Sequence, residues 1–194
     1  MKNNMDLIPT PSQTVGPFFH LGCTESHAVS CLAGPDAKGE RVLLLCRVFD
    51  GEGVPVPDAM IEIWQADSEG RYNHPADERA ASCDPNCKGH GRMATDKDGC
   101  CTFDTIKPGQ VPADDGTLQA PHLNVSVFAR GVLKRMATRI YFGSDPANHS
   151  CPVLALVPEA RRGTLISRPA PQSPGNWQFD IHLGGPNETV FFDV

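Results

Sequence analysis

His122, Asn124 and Arg130 share one parity in the stretch Ala120-Pro121-His122-Leu123-Asn124-Val125-Ser126-Val127-Phe128-Ala129-Arg130-Gly131. Leu123, Val125 and Val127 alternate with them, which is the period of a half-buried β-strand. An imidazole, an amide and a guanidinium on one polar face can line a pocket, and they can equally well meet water on a surface strand. A second group able to do chemistry is Cys83, Cys87 and His90 with the pair Cys100-Cys101. Zinc sites need two Cys knuckles or one knuckle with spaced histidines, and only half of that is present. Asp96-Lys97-Asp98-Gly99 is placed like a calcium loop, but its Gly comes two residues early and the terminal Glu is missing. No Gly-rich phosphate loop and no Gly-x-Ser-x-Gly elbow occurs.

The elements that must hold these residues are strands. Arg41 to Phe49 has Val42, Leu44, Cys46 and Val48 on one face and Leu43, Leu45 and Phe49 on the other, so it is expected to be covered on both sides. Met60 to Ala66, Arg92 to Thr95, Cys100 to Phe103, the His122 stretch, Thr138 to Phe142 and Trp177 to Leu183 add further strands, and Thr189 to Phe192 is expected to close the sheet. Asp96 to Gly99 is expected to be a hairpin turn. Residues 72–91 show no periodicity and form a long loop, and such loops are often functional. A short helix is expected between Val153 and Ile166, starting near Pro158. The fold class that follows is all-β: an antiparallel β-sandwich with long loops, an extended N-terminal arm and at most short helices.

Length and charge narrow the function. The 194 residues fit one domain, taken as 1–194, in which 1–40 is a Pro- and Gly-rich arm; Phe18-Phe19 within it would be costly to leave in water, so the arm is expected to dock on a partner chain. A net charge of -6 with no basic patch argues against nucleic acid or an anionic membrane. No apolar run reaches the roughly 20 residues of a membrane span, and the N-terminus has no signal-peptide pattern, so a cytoplasmic protein is expected. The eight cysteines are expected to be reduced, several of them as small packing residues.

Several stretches together carry a resemblance: Thr10-Pro11-Ser12-Gln13-Thr14-Val15-Gly16-Pro17-Phe18-Phe19, Glu62-Ile63-Trp64-Gln65-Ala66-Asp67, Gly91-Arg92-Met93-Ala94-Thr95, Ile106-Lys107-Pro108-Gly109 and Phe128-Ala129-Arg130-Gly131. In this order, from about Ile8 to Val194, the chain resembles the intradiol ring-cleavage dioxygenases, and among them the chain without iron of a two-chain enzyme. Catalytic chains of that family hold Fe(III) with two tyrosinates and two histidines. The resemblance puts Arg79 and Val111 at the two tyrosine positions and Asn124 at one histidine position, leaving His122 as a relict. The chain has two tyrosines in all, Tyr72 and Tyr141, and neither falls at a ligand position. The resemblance therefore implies that this chain holds no metal and has no catalytic residue of its own. Iron would belong to a partner β subunit, in an α/β hetero-oligomer that opens 3,4-dihydroxybenzoate with O2 to 3-carboxy-cis,cis-muconate.

Carried over by motif, Thr14, Gly16, Pro17 and Arg130 complete the wall of the partner's substrate site. A guanidinium pairs well with the substrate's carboxylate. Interface packing is the alternative role for Thr14 to Pro17, and an inter-chain rim contact for Arg130. Two other functions stay open at this level: a β-sandwich binding module without a part in catalysis, and an iron dioxygenase for another catechol with unorthodox ligands.

Overall fold

The computed structural model describes residues 11–16, 19, 21–113, 115–170, 173 and 175–194. Ten strands follow in chain order: β1 (Arg41–Phe49), β2 (Met60–Trp64), β3 (His90–Ala94), β4 (Cys100–Ile106), β5 (Val111–Pro112), β6 (Leu118–Gln119), β7 (His122–Phe128), β8 (Met136–Phe142), β9 (Ile166–Pro169) and β10 (Asn176–His182). Eight of them form one sheet in the order β3-β2-β7-β8-β9-β10-β1-β4, and β5 pairs with β6 beside it.

This sheet is mixed, where the sequence pattern suggested purely antiparallel pairing. β1 runs parallel to β10, and β8 runs parallel to β9. A parallel pair needs a crossover connection, usually helical. Between β8 and β9 the chain supplies one: a 3-10 turn at Pro146–Ser150, α1 (Pro152–Leu156), α2 (Glu159–Arg162) and a second 3-10 turn at Gly163–Leu165. Asp145 starts it by accepting a hydrogen bond from the Ala147 amide (2.9 Å). Val157 and Pro158 split what was expected to be one helix, and α2 begins just after Pro158. Tyr141, Cys151, Leu154, Val157 and Leu165 pack the crossover onto the sheet.

The main core lies inside the curl of the sheet, where Leu44, Ile61, Phe103, Val125, Ile140 and Phe179 meet. β1 buries one face only. Val42, Leu44, Cys46 and Val48 are inside, whereas Leu43 is 42% exposed and Leu45 and Phe49 are half-buried, so the described residues give the other face only partial cover. Thr189 to Phe192 does not add a strand; it contributes a single bridge, Phe192 to Ala137. The turn at Asp96–Gly99 is present, with Gly99 at φ +72°, but it links strands that pair with different neighbours, so it is a corner and not a hairpin.

β3 and β4 are consecutive in the chain yet end up at opposite edges of the sheet order. The segment 29–33 stitches these edges together. Val29 and Arg92 exchange backbone hydrogen bonds (2.7 and 2.9 Å), the Leu32 amide donates to Asp104 O (2.9 Å), and the Asp104 amide donates to Ser30 O (2.8 Å). Both edges thereby lose the free backbone groups that invite unwanted pairing. Part of the first forty residues thus belongs to this chain's own sheet. Leu32 is fully buried at the seam, and a side chain at Gly91 would run into its Cδ1 and lie 3.0 Å from Val29 O. Gly91 is where the two backbones approach, which explains the residue type there. Leu32→Ala is expected to destabilise the fold by about 2–5 kcal/mol in urea unfolding; a loss below about 1 kcal/mol would show that the seam closes without it.

Candidate functional site

The strands present a polar outer face that meets a loop. On β2 and β3, Glu62 and Arg92 are register partners, and Arg92 Nε and Nη2 both bind Glu62 Oε1 (2.7 and 2.5 Å). Beside them, Trp64 and Asn124 are register partners on β2 and β7. The chain then leaves β2 at Gln65-Ala66-Asp67, where buried polar groups begin the loop. Gln65 donates to Ala66 O and Ile106 O (both 3.1 Å) and accepts from the Thr105 hydroxyl (2.6 Å). Asp67, 2% exposed, accepts from the amides of Glu69 and Arg71 (2.9 Å each) and of Asp84 (3.0 Å). A buried carboxylate held by three amides fixes the loop it serves.

That loop walls a cavity of about 530 Å³ lined by Trp64, Tyr72, His74, Asp77, Arg79 and Val111, with Glu78 also on its lining. The Tyr72 ring lies nearly parallel to Trp64 (4°, centroids 6.2 Å apart), and His74 meets Trp64 edge-on. Asn124 Nδ2 donates to the Tyr72 hydroxyl (3.0 Å). Burial raises the Tyr72 pKa above its ordinary value, which keeps it a neutral phenol. Asp77 accepts from the Tyr72 and Arg79 amides (2.9 and 2.8 Å) and from Arg79 Nε and Nη2 (3.1 and 3.0 Å). Burial alone would raise its pKa, but those amides and the guanidinium outweigh it and hold the carboxyl below its usual range. Arg79 Nη2 also donates to Gly70 O (2.8 Å).

Arg79 and Val111 therefore share one cavity, and Asn124 touches it through Tyr72. His122 does not line it. It is 2% exposed, packs its ring against Tyr141 (5.7 Å), and its Nδ1 lies 2.7 Å from Ala120 O, which assigns the proton to Nδ1. Burial first, then the charge of Arg139, pushes its pKa down to about 4.

A ferric ion needs hard anionic oxygen donors beside imidazole. Of the four positions that the resemblance matches to ligands, Arg79 brings a cation already spent on Asp77, Val111 has no donor atom, Asn124 offers only a neutral amide oxygen, and His122 alone offers an imidazole nitrogen. The set does not fit the metal. Among the described residues no group of three His, Cys, Asp or Glu side chains is arranged to hold one. In the cysteine loop, burial, then the charge of Asp67, pushes the Cys83 thiol up to about 12, and burial raises Cys87 to about 11. All eight cysteines are free thiols, four of them buried.

The remaining candidates gather at the far end of β7. Thr14 Oγ1 accepts from the Gly131 amide (2.7 Å), Gly16 O accepts from the Phe19 amide (3.0 Å), and Phe19 packs on Phe128 (5.6 Å). Gly131 turns at φ +83°, so Arg130 sits between a strand end and a turn that Thr14 holds. Arg130 and Thr14 are both exposed, and Arg130 has no ion pair among the described residues. Pro17 lies outside the described residues. From His122 to Phe128 the strand covers about 20 Å, so this group is well separated from His122. Tyr72, Trp64 and Asp77 were not singled out as cavity residues from the sequence; only the reading of 72–91 as a loop without periodicity pointed there.

Known proteins resemble this chain over most of its length. A family profile described as Dioxygenase matches residues 14–185. The chain is 43% identical over 201 aligned positions to the protocatechuate 3,4-dioxygenase alpha chain of Burkholderia cepacia, covering 97% of this chain and 98% of that one. It is 37% identical to the beta chain of the same organism's enzyme, over 78% of this chain and 67% of the other. Among solved structures, the dioxygenase domain of a carbohydrate-binding fusion protein from Streptomyces sp. SirexAA-E superposes with a TM-score of 0.62 at 24% identity, over 92% of this chain and 99% of that one.

The buried neutral His122 gives a pH prediction. Its folded pKa is about 4 and its ordinary value 6.5, so the unfolded chain binds the extra proton between those values. Stability contributed by this site is present above pH 6.5 and is lost as pH falls towards 4, by about 3 kcal/mol in full. Urea unfolding of the wild type against His122→Gln should show that acid-side loss in the wild type only; equal pH slopes would contradict a buried neutral imidazole.

Proposed function

The chain belongs to the intradiol ring-cleavage dioxygenase family, and on that premise we propose that it is the alpha subunit of a protocatechuate 3,4-dioxygenase. Family members are non-haem iron enzymes. In this reading the iron sits in a beta subunit, and the two chains together cleave 3,4-dihydroxybenzoate with O2 to 3-carboxy-cis,cis-muconate in the cytoplasm. The alpha chain contributes binding and orientation, not metal chemistry.

One observation carries the reading. The positions that the resemblance matches to ligands in catalytic relatives hold Arg79, Val111 and Asn124, none of which offers an anionic oxygen, while Arg130 is exposed beyond the far end of β7. Thr14, hydrogen-bonded to Gly131, holds the turn that follows Arg130. Gly16 supports it too: a Cβ there would meet nothing within 4 Å, so its own chain gives no steric reason for a glycine. A neighbouring chain or the substrate approaching that backbone would supply one, with Pro17 next to it. The half-exposed outer face of β1 and the sheet's polar face offer further area for a partner. A binding module without catalytic part is disfavoured by a likeness that extends over both chains from end to end.

Co-purified with its beta subunit, the chain is expected to support oxygen uptake dependent on 3,4-dihydroxybenzoate, and alone to support none; activity of the lone chain would overturn the reading. In the complex, Arg130→Ala should raise KM for 3,4-dihydroxybenzoate about 10- to 100-fold, the worth of a charge-assisted hydrogen bond. Arg130→Lys should recover part of it, and a catechol without a carboxylate should be turned over alike by both variants. An unchanged KM would reduce Arg130 to an interface residue.

A further inference from the structure

We propose that Cys46 and Cys101 are an oxidation site inside the sheet, where hydrogen peroxide converts two thiols into a disulfide that joins β1 to β4. The proposal stands on this chain's own geometry and does not rest on the proposed function. The two residues are direct register partners on antiparallel strands. In the same register the Val48 amide donates to Gly99 O (2.9 Å) and the Lys107 amide to Glu40 O (2.8 Å). Hydrogen-bonded pairs recur at every second residue of such a ladder, so Cys46 and Cys101 form one as well, with Cα atoms about 5.5 Å apart. A disulfide spans about 4.4–6.8 Å between Cα atoms.

Both side chains point into the core. Cys46 is fully buried and Cys101 is 6% exposed, and both belong to the main apolar cluster. The first influence on the Cys46 thiol is a hydrogen bond with Cys101, ahead of burial, and the two together raise its pKa well above the ordinary value. The sulfurs are therefore neighbours. Cys100 does not compete, because it faces the other side of the sheet with its register partner Arg47. Cys87 and Cys151 are buried in other clusters.

The same geometry makes the dithiol the resting form. Cross-strand partners hold their Cβ atoms about 4.5–5.5 Å apart, whereas a disulfide needs about 3.5–4.5 Å. Closing the bond draws the strands together, and a strained disulfide is the more easily reduced. β4 is the last strand in the sheet order, so it can approach β1 without pulling another strand of the sheet. The pair is a reversible mark of oxidation, not a permanent staple.

Peroxide reaches Cys101 first, since Cys46 has no exposed surface. The Cys101 sulfur takes one oxygen as the O–O bond breaks, water leaves, and a sulfenic acid remains. The Cys46 sulfur then displaces that hydroxyl: the S–S bond forms, the S–O bond breaks, and the thiol proton leaves with the hydroxide as a second water. Two thiols have lost two electrons to one peroxide. Little of Cys46 is thiolate at neutral pH, so contact with Cys101 drives the second step in place of thiolate fraction.

Peptide mapping of the folded full chain tests this, after hydrogen peroxide, alkylation of the remaining thiols and digestion without reduction. The expected product is a peptide pair joined through Cys46 and Cys101, and dithiothreitol should return both thiols. Cys100→Ser should leave the link intact, and Cys101→Ser should abolish it with Cys46 still a free thiol. The wild-type map decides even if Cys101→Ser does not fold. Both thiols free at a dose that oxidises the exposed Cys31, Cys101 driven on to the sulfinic acid with Cys46 unlinked, or Cys46 joined to any other cysteine would each overturn the site.

Discussion

The carboxylate of Asp67 is the contact on which the functional half of this chain depends. It is buried at the end of β2 and satisfied by backbone amides of residues 69, 71 and 84, so it ties both ends of a loop to one point. Its backbone carbonyl also accepts from the amides of Gly70 and Gly109 (3.1 and 2.8 Å), which draws in the Lys107-Pro108-Gly109 turn. A Cβ on Gly109 would stand 2.5 Å from the Gly70 amide and 2.6 Å from Ser68 O. The glycine in Lys-Pro-Gly is thus a matter of backbone crowding. From this knot the chain sends out Tyr72, Asp77 and Arg79 on one side and Val111 on the other, and the cavity is the space between.

Charges and lone pairs around this cavity have to be satisfied within the chain. Here the answer is local pairing. Asp77 takes up Arg79, Asn124 gives its amide hydrogen to Tyr72, and His122 withdraws under Tyr141 as a neutral ring. A buried polar group without a partner costs about 1–3 kcal/mol, so these contacts keep the polar cavity from weakening the fold. The far end of β7 follows a different logic: Arg130 is exposed and has no ion pair among the described residues, and Thr14 of the N-terminal arm holds the turn that follows it.

Local periodicity made much of this legible. His122–Phe128 and Asn176–His182 alternate and become β7 and β10, because a half-buried strand imposes a period of two on its residues. Mixed pairing was not legible, since β1 and β10 are separated by more than a hundred residues and no local signal states the direction in which they meet. The apolar outer face of β1 suggested a full cover, which the described residues supply only in part. Motif resemblance pointed to Arg79, Val111 and Asn124, but not to the contact between Asn124 and Tyr72, which are 52 residues apart and meet only in the folded chain. Asp67 looked like one member of a turn, because its role depends on the amide of Asp84 arriving from the other end of the loop.

The central claim is that the metal of the assembled enzyme lies wholly outside this chain. Iron content against chain content, measured by elemental and amino-acid analysis on the purified complex of this chain with its beta subunit, addresses it most directly. One iron per pair of chains is the expected result. Two per pair, with the second lost when His122 is replaced, would mean that this chain holds a metal after all and that the donor chemistry has been misread.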